Sequence, residues 1–389
     1  MLGLREDDTS LSFLPFCHAA ERVFGLHTRI VYGMGAGLVP DHTRLWEAAR
    51  AYGPTLFGGV PRFFEKVWEE LYAERETAPL RHRERWSRVL ELGRERSRLR
   101  RSGLPVPPEL ERDWRDLGEP VFARVREAFG GRVRLATSGG AAFPVHVAED
   151  LDALGLPVLG AYGLTEHLCV AFNRPDRYTF DSAGPPMPGT ELGIAEDGEV
   201  LVRRGALTFS GYHARPGESA AAFTADGEWL LTGDLGAVGA DGMLRITGRK
   251  KELIALSTGK KIAPLPIEER LARHPWVEQV VVLGEGRKYV SALLALRRPL
   301  VEAWARGRGI GAGFGELVAH PAVRAELQCA VDAANAALSR PEQVRRFDIL
   351  ERPLSVEADE LTPTLKVRRT VVAQRYRERL DALYQLSEP

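Results

Sequence analysis

Residues 132–144 read RVRLATSGGAAFP, and residues 156–166 read LPVLGAYGLTE. Each is a short apolar run that closes on glycine. The first reads as a strand ending in Ser138-Gly139-Gly140. The second reads as a strand ending in Gly160, with Tyr162 to Glu166 after it. The same rhythm occurs upstream. Residues 45–61, LWEAARAYGPTLFGGVP, give a helix, a break at Gly53–Pro54 and a strand-like TLFGGV. Residues 10–25, SLSFLPFCHAAERVFG, give a buried strand that runs into a helix. Strands and helices in this alternation argue for a parallel sheet covered by helices.

Working outward, residues 62–129 are helical and heavily charged. RFFEKVWEELYAERE (62–76) sets Phe64, Val67, Trp68 and Leu71 on one face. RHRERWSRVLELGRERSRLRR (81–101) interleaves Glu with Arg, the pattern of a solvated helix laced with ion pairs rather than of a nucleic-acid binder. From 184 to 248 the pattern becomes all-β, punctuated by turns at Asp197-Gly198 and Asp241-Gly242. After Gly248 a basic turn, a strand, a loop, a helix and another strand begin a smaller α+β unit. The expected division is 1–249 and 250–389, with a β-rich part at about 184–249 in the first.

The 389 residues allow about two to three domains. Hydrophobic residues make up 44% and charged residues 27%, which excludes disorder, collagen-like repeats and coiled-coil rods. Formal net charge is zero, so no net-charge argument for nucleic acid or anionic membrane exists. Cys17, Cys169 and Cys329 are too scattered for a disulfide framework and suit a reducing cytosol. The first residues lack a signal peptide's pattern, and no apolar stretch is long enough to span a bilayer. A cytoplasmic location is expected, with the Arg-rich 81–101 helix compatible with peripheral contact at the inner face of the membrane. Only seven residues are lysine against 46 arginine. Four of the seven fall between 250 and 261, where a compact ammonium is wanted or a basic loop is simply solvated.

In an open α/β sheet, ligands gather beyond the carboxyl ends of the strands. Gly139 and Gly140 would let a flat ring approach the backbone. Tyr162 offers a ring for stacking, Thr165 a hydroxyl for phosphate or metal, and Glu166 a hard carboxylate for Mg²⁺ beside phosphates. A polar loop capping a helix would use the same Thr and Glu. Asp234, in LLTGDLG, is placed in a turn just after a strand, where a carboxylate can accept two ribose hydroxyls. Lys366, in LTPTLKVRR, is far in sequence from any other lysine and could act as a point charge on a transferring phosphate.

Taken together, SGGAAFP (138–144), GAYGLTE (160–166), GYHARPGESAAAF (211–223), WLLTGDLG (229–236), ITGRKKELIALSTGKKIAP (246–264) and LTPTLKVRR (361–369) resemble successive motifs of the adenylate-forming, AMP-binding enzymes. The similarity is greatest to the long-chain fatty acyl-CoA synthetases and covers nearly the whole chain. It implies an α/β N-terminal adenylate-forming domain, made of a parallel-sheet part and a small β part, followed by a small mobile α+β domain. It implies ATP, Mg²⁺ and coenzyme A, with fatty acid and CoA as small-molecule substrates and no nucleic acid.

The roles that follow from the resemblance are specific. Gly139, Gly140, Ala141 and Gly163 would line the nucleotide, with Gly140 and Ala141 between its adenine and acyl ends. Tyr162 would pack on adenine, Thr165 would contact phosphate and Glu166 would bind Mg²⁺. Asp234, helped by Arg249, would hold the ribose. Lys366 would bridge the α-phosphate and carboxylate oxygens during adenylation. Lys251 would be the hinge about which the second domain turns, bringing Gly259 and Lys260 to the thiol tunnel. His18 would gate the acyl pocket. The helical stretch at 74–118 favours a long-chain substrate.

The resemblance also implies a Gly/Ser/Thr-rich phosphate loop with a lysine shortly before LSFLPF, and the 389 residues hold none. The first domain is therefore expected to be incomplete. Three readings stay open: a normal synthetase whose sequence is cut short, a split enzyme with the loop on a partner chain, or a pseudo-enzyme that binds nucleotide or acyl-CoA without turnover.

Overall fold

The computed structural model describes residues 2–362 and 365–385. The chain divides into two compact units, Met1–Leu71 with Pro79–Ile246, and Tyr72–Ala78 with Thr247–Pro389.

In the first unit, β1 (Thr9–Ser12), β2 (Gly35–Leu38), β3 (Leu56–Gly59), β4 (Leu135–Gly139), β5 (Val158–Leu164) and β6 (His167–Phe172) form one sheet. Its order is β2-β1-β3-β4-β5-β6. The first five strands run parallel and β6 returns antiparallel against β5. The helices are α1 (Thr28–Tyr32), α2 (Leu45–Tyr52), α3 (Pro61–Thr77), α4 (Leu80–Arg101), α5 (Pro108–Ala128) and α6 (Val145–Ala153). The core is aromatic: Phe57 of β3 meets Trp46, Phe64 and Phe129 at centroid distances of 5.6, 5.7 and 5.1 Å. Phe64, Val67, Trp68 and Leu71, grouped on one face by the sequence pattern, are all buried.

Packing explains two glycines. A Cβ on Gly93 would stand 2.2 Å from the Ala153 carbonyl oxygen, so glycine is what lets α4 lie against α6. Trp114 of α5 donates to that same oxygen at 2.8 Å. Before α1, residues Glu21–His27 wind as a π-helical turn. A Cβ on Gly25 would fall 2.4 Å from the Glu21 carboxylate, which is buried and accepts from Ser12 Oγ at 2.6 Å and Arg29 Nη1 at 2.9 Å. The exposed side of α4 carries the Arg–Glu pairs read from the sequence, such as Arg98–Glu95 and Arg88–Glu91.

A second sheet has the order β10-β9-β8-β7, formed by β7 (Leu192–Ile194), β8 (Glu199–Arg203), β9 (Trp229–Val238) and β10 (Leu244–Arg249). The two Asp-Gly turns sit between β7 and β8 and between β9 and β10, with Gly198 and Gly242 at φ +86° and +70°. The stretch read as all-β also contains a short helix, α7 (Pro216–Ala221), started by a proline in its first turn.

The second unit begins with the small hairpin β11 (Ile254–Ala255) and β12 (Lys261–Ile262) and α8 (Pro264–Leu271). It continues with β13 (Val277–Leu283), β14 (Ser291–Leu296), α9 (Arg298–Arg306), α10 (Phe314–Val318), α11 (Pro321–Asn335) and β15 (Arg346–Ile349). It closes with α12 (Arg369–Arg375) and α13 (Arg377–Gln385). β14 is antiparallel to β13 and parallel to β15, and every residue of it is buried. Val281, Leu293, Val372 and Leu380 pack into one core beneath α12 and α13. Among the described residues, no helix is long and apolar enough to cross a membrane.

Candidate functional site

Parallel pairing brings the carboxyl ends of β1, β3, β4 and β5 to one edge of the first sheet. At that edge Ser138 pairs across with Gly160, and Gly139 with Ala161. A Cβ on Gly139 would lie 3.3 Å from the Ala161 carbonyl oxygen, and Gly140 turns the chain at φ +81°. Gly140 and Ala141 are exposed. The Ser138 hydroxyl is buried and has no hydrogen-bond partner, an orphaned polar group beside the two glycines.

The sequence reading ended the next strand at Gly160, and the structure extends β5 to Leu164. The reason is non-local: β6 supplies a ladder, pairing Tyr162 with Ala171 and Leu164 with His167. Tyr162 and Gly163 are therefore strand residues. Thr165 and Glu166 form the hairpin turn, so they cap no helix. Gly163 is required there, because a Cβ would sit 1.8 Å from the Leu168 carbonyl oxygen.

Asp234 also differs from expectation. It lies inside β9 and is only 4% exposed, rather than in a turn after the strand. β9 bulges there: Leu201 of β8 pairs with Leu231, but Glu199 pairs with Leu235. Gly233 takes φ +71° in the bulge, and its N–H donates to Glu199 at 2.8 Å. Thr232 Oγ1 donates to the Val200 carbonyl at 2.7 Å and accepts from the Asp234 N–H at 3.1 Å. The bulge aims the Asp234 carboxylate at Tyr162, whose hydroxyl donates to Oδ2 at 2.7 Å. Two residues 72 positions apart, on strands of different sheets, are thereby joined.

Glu166 accepts a 2.5 Å hydrogen bond from the Tyr212 hydroxyl. That bond, with partial burial, pushes the Tyr212 phenol up to about 12. Tyr212 lies in GYHARPGES, a stretch matched as a motif but given no role from the sequence; a tyrosine just before α7 was its only signal. His167 was also missed. It is buried between Thr208 at 3.3 Å and Thr190 at 3.2 Å, and burial lowers its pKa.

His18 is exposed beyond β1, its Nδ1 accepting the Ala20 N–H at 3.2 Å. Arg249, Lys251, Gly259, Lys260 and Lys366 belong to the second unit and are exposed. Arg249 ends β10, Lys251 lies in the single turn Lys250–Glu252, and Gly259 turns at φ +79° between β11 and β12. Lys366 lies next to Val367, which forms an antiparallel bridge with Leu361. Of the LTPTLKVRR motif, residues 363 and 364 lie outside the described residues.

The donor set fits an adenosine phosphate. There is a glycine-lined approach with an unsatisfied hydroxyl, a ring, and a carboxylate suited to hydroxyls. Among the described residues, no group of three or more His, Cys, Asp or Glu could hold a metal ion. Glu166 suits magnesium that is held largely by phosphates and water.

Residues 2–214 match the family model described as AMP-binding enzyme, and residues 251–388 match the AMP-binding enzyme C-terminal domain. The chain is 35% identical over 389 residues to a protein named putative fatty-acid–CoA ligase fadD11 of Mycobacterium tuberculosis, covering 99% of this chain and 68% of that one. It is 35% identical to long-chain-fatty-acid–CoA ligase FadD15 of Mycobacterium bovis, covering 98% and 63%. It is 31% identical to long-chain-fatty-acid–CoA ligase 6 of Homo sapiens, covering 98% and 55%. The chain thus spans about two thirds or less of the length of these relatives. Among solved structures, the adenylation domain of a carboxylate reductase from Mycobacterium chelonae superposes with a TM-score of 0.69 at 23% identity, covering 97% of this chain and 54% of that one. An anthranilate CoA ligase in complex with anthranoyl-AMP gives 0.66 at 18% identity, covering 98% and 61%. These two likenesses speak for the fold alone.

Proposed function

The chain belongs to the AMP-binding enzyme family, and from that premise we propose that it activates a long-chain fatty acid with ATP and passes the acyl group to coenzyme A. In the first step a carboxylate oxygen bonds to the α-phosphorus and pyrophosphate leaves. In the second, the CoA sulfur bonds to the acyl carbon and AMP leaves. The observation that carries the reading is the hydrogen bond from Tyr162 to Asp234, set beside Ser138-Gly139-Gly140. It links a ring on the first sheet, near the side-chain-free backbone, to a carboxylate on the second sheet.

In this proposal Tyr162 stacks on adenine against Gly139, Gly140 and Ala141, with Gly163 leaving room at the strand end. The Ser138 hydroxyl finds an acceptor on the nucleotide. Asp234 takes the ribose hydroxyls, with Arg249 beside them. Thr165 donates to phosphate and Glu166 would hold Mg²⁺, whose charge neutralises phosphate oxygens when bound. Tyr212 fixes the Glu166 carboxylate so that it is presented in one orientation. Lys366 places its ammonium on the α-phosphate and carboxylate oxygens as charge moves between them. Lys251 serves as hinge, Gly259 and Lys260 serve the thiol step, and His18 gates the acyl chain.

Product analysis tests this reading. Incubation with a long-chain fatty acid, ATP, Mg²⁺ and CoA is expected to give AMP, pyrophosphate and acyl-CoA in equal amounts. ADP as the product, or AMP binding with no thioester formed, would overturn it.

A further inference from the structure

Glu360 is the residue just before the hairpin that carries Lys366, and it is 0% exposed. Its carboxylate is surrounded by donors. Arg352 grips both oxygens, at 2.7 and 2.9 Å. The Ser355 N–H donates at 3.1 Å, the Tyr376 hydroxyl at 3.1 Å, and Arg375 Nε stands at 3.4 Å. These groups come from the loop after β15 and from the end of α12, so one carboxylate ties the hairpin base to two other elements. Burial would lift this carboxyl, but Arg352, the Ser355 N–H and the Tyr376 hydroxyl together hold the group below its ordinary value.

The backbone continues the arrangement outward. The Glu360 carbonyl accepts the Arg368 N–H at 2.8 Å, which closes the hairpin across its base. Within it, the Thr362 N–H donates to the Lys366 carbonyl at 2.8 Å, and Thr362 Oγ1 accepts the Lys366 N–H at 3.0 Å. These hydrogen bonds of the Lys366 backbone therefore sit beside a base that Glu360 pins.

Arg352 and Arg375 are themselves 46% and 45% exposed, so pairing them with Glu360 is a poor way to gain stability. What it gives is a single geometry. A lysine side chain is long and flexible, so its reach is set by how firmly its backbone is held. We infer that Glu360 is a positioning residue for the adenylation step, fixing the hairpin so that Lys366 is presented in one place. This rests on the proposed role of Lys366.

The test compares Glu360→Gln, Lys366→Ala and the unaltered protein in two half-reactions. One is fatty-acid-dependent exchange of pyrophosphate into ATP. The other is transfer from supplied acyl-AMP to CoA. Glu360→Gln is expected to lower the exchange rate about ten- to a hundredfold, since small misplacements of a reacting group cost that much. The loss should appear in kcat more than in KM for ATP, with thioester formation nearly unchanged. Should Glu360→Gln not fold, Tyr376→Phe removes one donor and keeps the carboxylate. It is expected to show the same split at about two- to tenfold. Equal loss in both half-reactions, or full exchange in Glu360→Gln or in a folded Tyr376→Phe while Lys366→Ala has none, overturns the positioning role. Full exchange in Lys366→Ala, or no exchange in the unaltered protein, instead overturns the reading on which it rests.

Discussion

Asp234 and Tyr162 carry the nucleotide reading, and each can be tested alone. Tyr162→Phe keeps the ring for stacking but removes the donor that fixes the carboxylate. A hydrogen bond to a charged group contributes about 1.5–3 kcal/mol, so KM for ATP is expected to rise about tenfold or more while kcat changes little. Steady-state kinetics with varied ATP checks this, and an unchanged KM would separate Tyr162 from the nucleotide. His167 gives a pH test. Burial lowers its pKa in the folded state, so it adds stability above its unfolded value, near the ordinary 6.5. That stability is lost as pH falls through the folded value. Thermal midpoints of the native protein should therefore drop between about pH 7 and 5 more steeply than those of a His167→Gln variant. Parallel slopes would contradict the assignment.

At the scale of elements, the segment before α12 holds two residues in the left-handed region, Asp359 at φ 60° and Leu365 at φ 62°. That conformation costs a non-glycine residue roughly 1–2 kcal/mol. Asp359 also pairs with Arg368, but both side chains are well exposed and such pairs are worth about 0–1 kcal/mol. Relief of strain outweighs the lost pair, so Asp359→Gly is expected to stabilise the second unit by up to about 1 kcal/mol. Chemical denaturation measures it, and a destabilised variant would show that the pair dominates. The opposite change applies at Gly163. Gly163→Ala drives a methyl group into the Leu168 carbonyl and is expected to cost about 1–3 kcal/mol and to weaken nucleotide binding.

Elements also mark how far the sequence could be read. The alternation around TLFGGV and LATSGG revealed β3 and β4 because a buried parallel strand shows in its own residues. The extension of β5 to Leu164 did not show, because β6 creates it. The bulge that delivers Asp234 depends on Glu199, Val200 and the register of β8. The ring of donors around Glu360 joins Arg352 to Tyr376 across an intervening hairpin. Motif matching named the proposed site residues; the side chains that contact them or hold their backbone, Tyr212, Thr232 and Glu360, act through contacts that spacing alone does not encode.

For the whole molecule, the first unit ends on one side in an unguarded strand. Among the described residues β2 pairs only with β1, and its sequence GAGL has no charge or proline to discourage further pairing. Leu38 within it is 73% exposed, and Ile30 and Val31 of α1 are 70% and 76% exposed. An apolar patch at a sheet edge drives association. The protein is expected to self-associate with rising concentration, and Leu38→Lys should shift it toward monomer in sedimentation equilibrium. A wild-type protein that stays monomeric at high concentration would contradict this. By contrast, the neutral net charge gives no reason to expect binding to nucleic acid.

The measurement that bears most directly on the central claim is exchange of labelled pyrophosphate into ATP. Exchange is expected only when a long-chain fatty acid is present. Lys366→Ala should reduce it by about a hundredfold or more, the loss seen when a single transition-state charge partner is removed. Exchange that needs no carboxylate, or that survives in Lys366→Ala, would contradict adenylate formation by these residues.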